Sequence, residues 1–335
     1  MKGLNKLALA TAVAAAPFAT QAMEPMSESE MGNTTGQAGV TIELDTQVSM
    51  DQIQYDQGAD TGSVLMNDIS IGGVGGDAFG EGLDVTVNVD LPEDGETLST
   101  YNEKVAAGIG TGNDLDLNDG DALISVGNLY GDGAVDMNVS LGDGDAAGAL
   151  GDESNDGTAF QLADSDGNAQ ATLISDIDMD LFLSQLDIVA RTTNEVGGDS
   201  DSGSIEIETA FAIDDLDAQF DVAAVNIQDM QMAGDGSLAT LKGSPAGAGA
   251  LADPTSVSHA VVSMDIGAGD SLSSSGPGNA LRINLDDFQA DIWMPTINVG
   301  SGVDDGSGNN VASIGRVGID NLQVTNTEMA IYGRD

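Results

Sequence analysis

The chain of 335 residues has no cysteine, a single histidine, and 8 Lys+Arg against 56 Asp+Glu. Without cysteine there is no thiol nucleophile, disulfide, thiolate metal site or lipoprotein anchor. His259 alone excludes a histidine metal cluster and leaves little basis for a histidine-based catalytic triad. A formal net charge of −48 repels phosphate backbones and anionic headgroups, which argues against nucleic acid and charged membrane surfaces as partners. Aromatic residues make up only 4% of the chain, too few for the stacking platforms of a sugar-cleaving cleft or for membrane girdles. Beyond the N-terminus no stretch reaches the ~18 apolar residues of a transmembrane helix.

What is present describes a folded, exported β-protein. Hydrophobic residues are 41% and the mean hydropathy is −0.04, values that disordered acidic chains do not reach. Lys2 and Lys6 precede an apolar stretch from Leu7 to Ala16, then Pro17 and the small-residue site Thr20-Gln21-Ala22. These features predict a signal peptide over residues 1–22, cleaved after Ala22. Removing its two lysines takes the charge from −48 to −50. Export to the periplasm, outer-membrane surface or medium follows.

Residues 23–335 are expected to form a single Gly/Asp-rich all-β domain. Val85, Val87, Val89 and Leu91 alternate with polar residues, as do Ile177, Met179, Leu181 and Leu183. After Leu183 the apolar positions slip by one to Leu186 and Ile188, the mark of a β-bulge. The longest alternating run begins at Ile205 and Ile207 and carries Glu206, Glu208 and Asp214 on its other face. Apolar faces are therefore expected inside and acidic faces in solvent. Long loops are expected near 142–170 and 237–256, and a short helical turn at 101–107. The fold expectation is a large antiparallel β-sheet structure, sandwich-like or elongated. Recurrent strand ends such as Ile69-Ser70-Ile71-Gly72 and Ile297-Asn298-Val299-Gly300 keep an irregular β-solenoid as the alternative.

Calcium is the one cofactor these acidic loops would take. Gly72 to Gly80 fits the nonapeptide of calcium-binding β-rolls and places Asp77 at the ligand position, but no second copy follows to complete the shell. Asp152 and Asp156, and likewise Asp164 and Asp166, open like EF-hand loops. Those loops end at Ala163 and Ser175, where a bidentate Glu is required. Catalytic candidates are absent: carboxylate pairs are everywhere, so none stands out. His259 reads as an ordinary sheet histidine, and Trp293 as a core or sheet-edge residue before a stop at Pro295.

The segment Met26 to Leu44, above all Thr35-Gly36-Gln37-Ala38-Gly39-Val40, resembles the opening of FilA-like pilus-system proteins, a DUF6160-type secreted family. The resemblance covers about residues 1–45 and implies export and association with a pilus or cell surface. It implies no catalytic residues. The expectation is a secreted, non-enzymatic surface protein, a component or accessory of a pilus, filament or biofilm. Its partners would be other surface proteins or copies of itself. A calcium-responsive binding protein or adhesin is the alternative.

Overall fold

The computed structural model describes residues 39–56, 61–74, 82–91, 120–128, 134–142, 158–193, 196, 202–253, 256–273, 276, 278–300 and 312–333. The expected signal peptide and the turn at 101–107 lie outside these residues. The strands are β1 Val40–Thr46, β2 Val48–Asp56, β3 Ser63–Gly72, β4 Leu83–Asp90, β5 Ala122–Asn128, β6 Val135–Leu141, β7 Phe160–Ala163 and β8 Ala169–Ile174. They continue as β9 Asp176–Arg191, β10 Ser204–Phe220, β11 Val225–Gln228, β12 Gln231–Ala233, β13 Ala260–Gly269, β14 Ala280–Val299 and β15 Ala312–Ile331. A 3-10 turn at Asp221–Ala223 and the short helix α1 Leu238–Leu241 complete the described elements.

All fifteen strands belong to one sheet, and every pairing is antiparallel. Many short strands lie end to end along one longer neighbour. β9, for example, pairs with β6 over Ile177–Leu183 and with β5 over Leu186–Ala190. Grouped this way the sheet has eight ranks: β1–β2, β3–β4, β5–β6–β7, β8–β9, β10, β11–β12–β13, β14 and β15. Each rank lies beside its neighbour in sequence, so the architecture is a plain meander. The antiparallel expectation holds, and the solenoid alternative finds no parallel pairing among the described residues.

One loop expectation changes, and the other holds with one helical turn added. Within 142–170 the structure places β7 and the start of β8, because Phe160–Ala163 adds to Ser63–Met66 of β3. Four residues in a Gly/Asp context carry too little alternation to be read as a strand without that partner. The 237–256 segment carries α1 and turns, and belongs to an insertion between β12 and β13. Pro295 is not a stop: β14 runs through it to Val299. It lies at a register shift between Met294 and Ile297, where the ladder does not call on its missing N–H.

The register separates two faces. One row crosses all eight ranks as Ile42, Val87, Val126, Leu186, Thr209, Val262, Phe288 and Val324. At the paired positions of this face there is no Asp, Glu, Lys or Arg. The opposite face carries Asp178, Asp180, Asp187, Glu206, Glu208, Asp265 and Asp291.

Burial falls on both faces: on the apolar face Ala260, Ala290 and Ile292 form a buried cluster with Phe211, Met232 and Phe288, and the polar face is buried in part as well. Asp187, Glu208, Gln185 and Asp291 are fully buried on the polar face, whereas Ile205, Leu281 and Met329 on the apolar face are 42%, 46% and 46% exposed. The insertion between β12 and β13 covers part of the polar face, where its Leu238 N–H reaches Asp291. Its Leu241, Leu251 and Val257 pack with Ala134, Phe182, Ala212 and Ala233 on the polar side.

Bulges keep the faces apart where the sequence alternation slips. On β9 Leu183 pairs with Phe211 and Gln185 with Ala210, leaving Ser184 as the extra residue. This is the slip legible before Leu186. Asp214 on β10 and Asp286 on β14 are extra residues of the same kind. Ser184 Oγ lies 2.9 Å from the Ala210 carbonyl and 3.1 Å from His259 Nδ1, and its one proton serves one of these acceptors at a time. Ser184→Ala is expected to lower stability by about 1 kcal/mol, the net worth of one buried hydrogen bond. Deleting Ser184 makes Leu183 and Gln185 adjacent opposite Phe211 and Ala210, so the alternation becomes regular and Asp187 stays on the polar face. The deletion is therefore expected to retain cooperative unfolding in a urea titration; loss of the sharp transition contradicts the register.

Candidate functional site

Asp77, Asp152 and Asp156 lie outside the described residues. Asp164 and Asp166 form the β7–β8 turn, where Gly167 takes φ +80°. Asp164 Oδ1 accepts the N–H groups of Asp166 at 3.0 Å and Asn168 at 2.9 Å, and Asp164 Oδ2 accepts Gln170 Nε2 at 2.9 Å. The Asn168 N–H, foremost among these donors, holds the Asp164 carboxyl below its ordinary pKa. The turn thus spends this carboxylate on its own backbone, as an Asx-type turn does. Asp166 contributes its N–H there and not its carboxylate. Among the described residues no group of three or more His, Cys, Asp or Glu side chains is arranged to hold a metal ion.

The structure instead assembles carboxylates on the polar face of β9 and β10, which sequence reasoning did not single out. Asp178 lies directly across from Asp217, and Asp180 across from Asp215. Opposed like charges destabilise a strand pair, and here the repulsion is met in three ways. Asn138 Nδ2 on β6 donates to Asp178 Oδ1 at 2.9 Å and to Asp180 Oδ1 at 2.8 Å. The Asp229 N–H donates to Asp217 Oδ1 at 2.7 Å. Protonation supplies the rest. Burial, reinforced by Asp217, Asp229, Asp180 and Asp178, pushes the Asp215 carboxyl up to about 7. Burial, with the Asp180 and Asp217 charges, pushes Asp178 up to about 6 against the donation from Asn138.

Asp214 lies beneath the insertion. Its Oδ2 accepts the Gly249 N–H at 2.7 Å and its carbonyl accepts the Gly247 N–H at 3.3 Å. Its Oδ1 and that of Asp215 are buried and accept no hydrogen bond. Burial raises the Asp214 pKa, and the Gly249 N–H opposes the shift. The signal for this cluster was the slip from Ile213 to Leu216, which leaves two adjacent aspartates opposite one position.

The other end of the polar face is compensated more fully. Arg191 Nε donates to Glu206 Oε2 at 2.7 Å, and Arg282 Nη2 lies 3.1 Å from Glu328 Oε2. Burial and the adjacent Asp286 raise the Asp265 pKa. His259, 6% exposed, places Nε2 at 2.9 Å from the Leu251 carbonyl and Nδ1 at 3.1 Å from Ser184 Oγ. A carbonyl only accepts, so Nε2 carries the proton, and burial holds the pKa down. This histidine pins the insertion to the Ser184 bulge, a structural task. Trp293 packs on the polar side against the insertion, with Lys242 Nζ 5.4 Å from its ring centroid.

Two features therefore stand out chemically: a carboxylate ladder that takes up protons near neutral pH, and a broad uncharged face with no described element packed over it. Residues 1–97 match the model of a family of unknown function, DUF6160. The match supports the N-terminal resemblance at the level of the family and extends it through β1 to β4. No curated protein and no solved structure matches the chain.

Because Asp178 and Asp215 bind protons more tightly in the fold than at the unfolded value of 3.8, these groups make stability fall as pH rises from about 4 to 7. The melting temperature is expected to be higher at pH 5 than at pH 8. Asp215→Asn removes one charge of the ladder, and should raise the melting temperature at pH 8 and flatten its pH profile. A melting temperature that climbs from pH 5 to pH 8 in the unsubstituted protein refutes the ladder's role.

Proposed function

We propose that the protein is a secreted, non-enzymatic surface protein that serves as a β-sheet scaffold, a component or accessory of a pilus, filament or biofilm. The observation that carries this reading is the uncharged face running across eight ranks. An apolar face of that extent, in a chain with 56 acidic residues, suits packing against protein far better than solvation. The predicted signal peptide supports export. The N-terminal resemblance supports the pilus setting.

The polar chemistry agrees with a scaffold. The one histidine is neutral and committed to Leu251 and Ser184, and the perturbed carboxylates lie opposite one another across the sheet. Cell fractionation with immunogold labelling is expected to place the protein on the cell surface or along filaments. Recovery solely as free periplasmic protein overturns the reading. Calcium responsiveness is separable: millimolar Ca2+ at fixed ionic strength is expected to leave the melting temperature unchanged, since Asp164 is already engaged by its own turn. A clear upward shift favours the calcium-responsive adhesin instead.

A further inference from the structure

We infer that the apolar face of the sheet is buried against the same face of a second copy, forming a two-layer homodimer with both polar faces outward. The inference rests on the scaffold reading above and names the scaffold's first partner.

Charge distribution selects the occupant. Two chains that each carry −48 repel at nearly every surface they present, and the apolar face is where their acidic groups are absent. Ile188, Ile207, Met264 and Leu285 form a half-buried central row on that face, beside the buried Ala260, Ala290 and Ile292, with no described strand or helix packed over the row. At its margins Val40, Ile42 and Met329 are 58%, 43% and 46% exposed. Packing against a like face would cover these side chains at the ~10 Å separation of stacked sheets. Both copies would keep their carboxylates in water.

The area is ample. Eight ranks ~4.8 Å apart, with strands of up to 20 residues at ~3.3 Å each, give a face of roughly 38 by 66 Å. A standard interface needs about 800 Å² from each partner, so a third of this face suffices.

A lipid bilayer fits less well. The apolar positions continue along all 20 residues of β14, about 66 Å, whereas the hydrocarbon core is ~30 Å thick and strands tilt by about 45°. A membrane-facing band would also be flanked by aromatic residues, yet the sole tryptophan, Trp293, lies on the polar side.

The test is sedimentation equilibrium of the full secreted chain in high salt, with a dimer expected. Ile207→Asp places a charge in the centre of the face and is expected to weaken dimerisation at least tenfold. Since that variant could fail to fold, a second measurement uses the cysteine-free background. Spin labels attached through Ile207→Cys, or separately through Asp235→Cys in the polar-side insertion, report distances between the two copies. The Ile207 distance is expected to be the shorter. A monomer at all concentrations, a dimer with the shorter distance at Asp235, or association only with phosphatidylcholine vesicles each overturns the inference. A monomer that still labels cell-surface filaments overturns the dimer and leaves the scaffold reading; a dimer found solely in the periplasm does the reverse.

Discussion

The structure depends on the two-residue period of the β-strand and on keeping that period in phase across eight ranks. A one-residue error in any rank would carry acidic side chains onto the apolar face and apolar ones onto the polar face. The chain does not avoid such errors in its sequence. It absorbs them: Ser184, Asp214 and Asp286 are each the additional residue of a register shift, and each is polar. A bulge leaves its extra residue out of the ladder, so the acidic or hydroxylic side chain falls on the side that tolerates it.

Sorting the charges concentrates them. Four aspartates meet in two opposed pairs on neighbouring strands, and only Asn138 and backbone N–H groups stand between them and mutual repulsion. The insertion between β12 and β13 increases this load because it removes water from Asp214 and Asp291. It also supplies compensation: the Leu238 N–H donates to Asp291 Oδ2 at 2.9 Å, and the Gly249 N–H reaches Asp214. The same segment thus covers the sheet and furnishes the donors that covering makes necessary.

Strand content, antiparallel order and the Ser184 bulge were legible in the sequence, because alternation and its interruption are local signals. The covering of the acidic face by a second core was not. Alternation shows that Ile207 and Glu208 lie on opposite sides, yet it carries no information about which side another segment covers. Apolar residues are buried on their own face around Ala290 and Ile292, and the insertion, with Leu241, Leu251 and Val257, adds a second core over Phe182 and Ala212 on the acidic side. The carboxylate ladder stayed hidden for a related reason. With 56 acidic residues, pairs are common in one dimension, and only the register between β9 and β10 distinguishes Asp180–Asp215 from the rest. Asp164 was legible as a loop carboxylate, but its backbone donors emerge only when the turn closes.

The order of the ranks also bears on how the sheet comes to exist. Because every rank pairs with those before and after it in the chain, a polypeptide delivered from its N-terminus meets each new strand's partner already in place. β9 needs only β5 and β6, and β14 needs only β11 to β13, before either can zip on. Large β-proteins fold slowly when distant segments must find one another. A meander replaces that search with a succession of nearby closures, which suits a long acidic chain that must assemble its sheet one rank at a time.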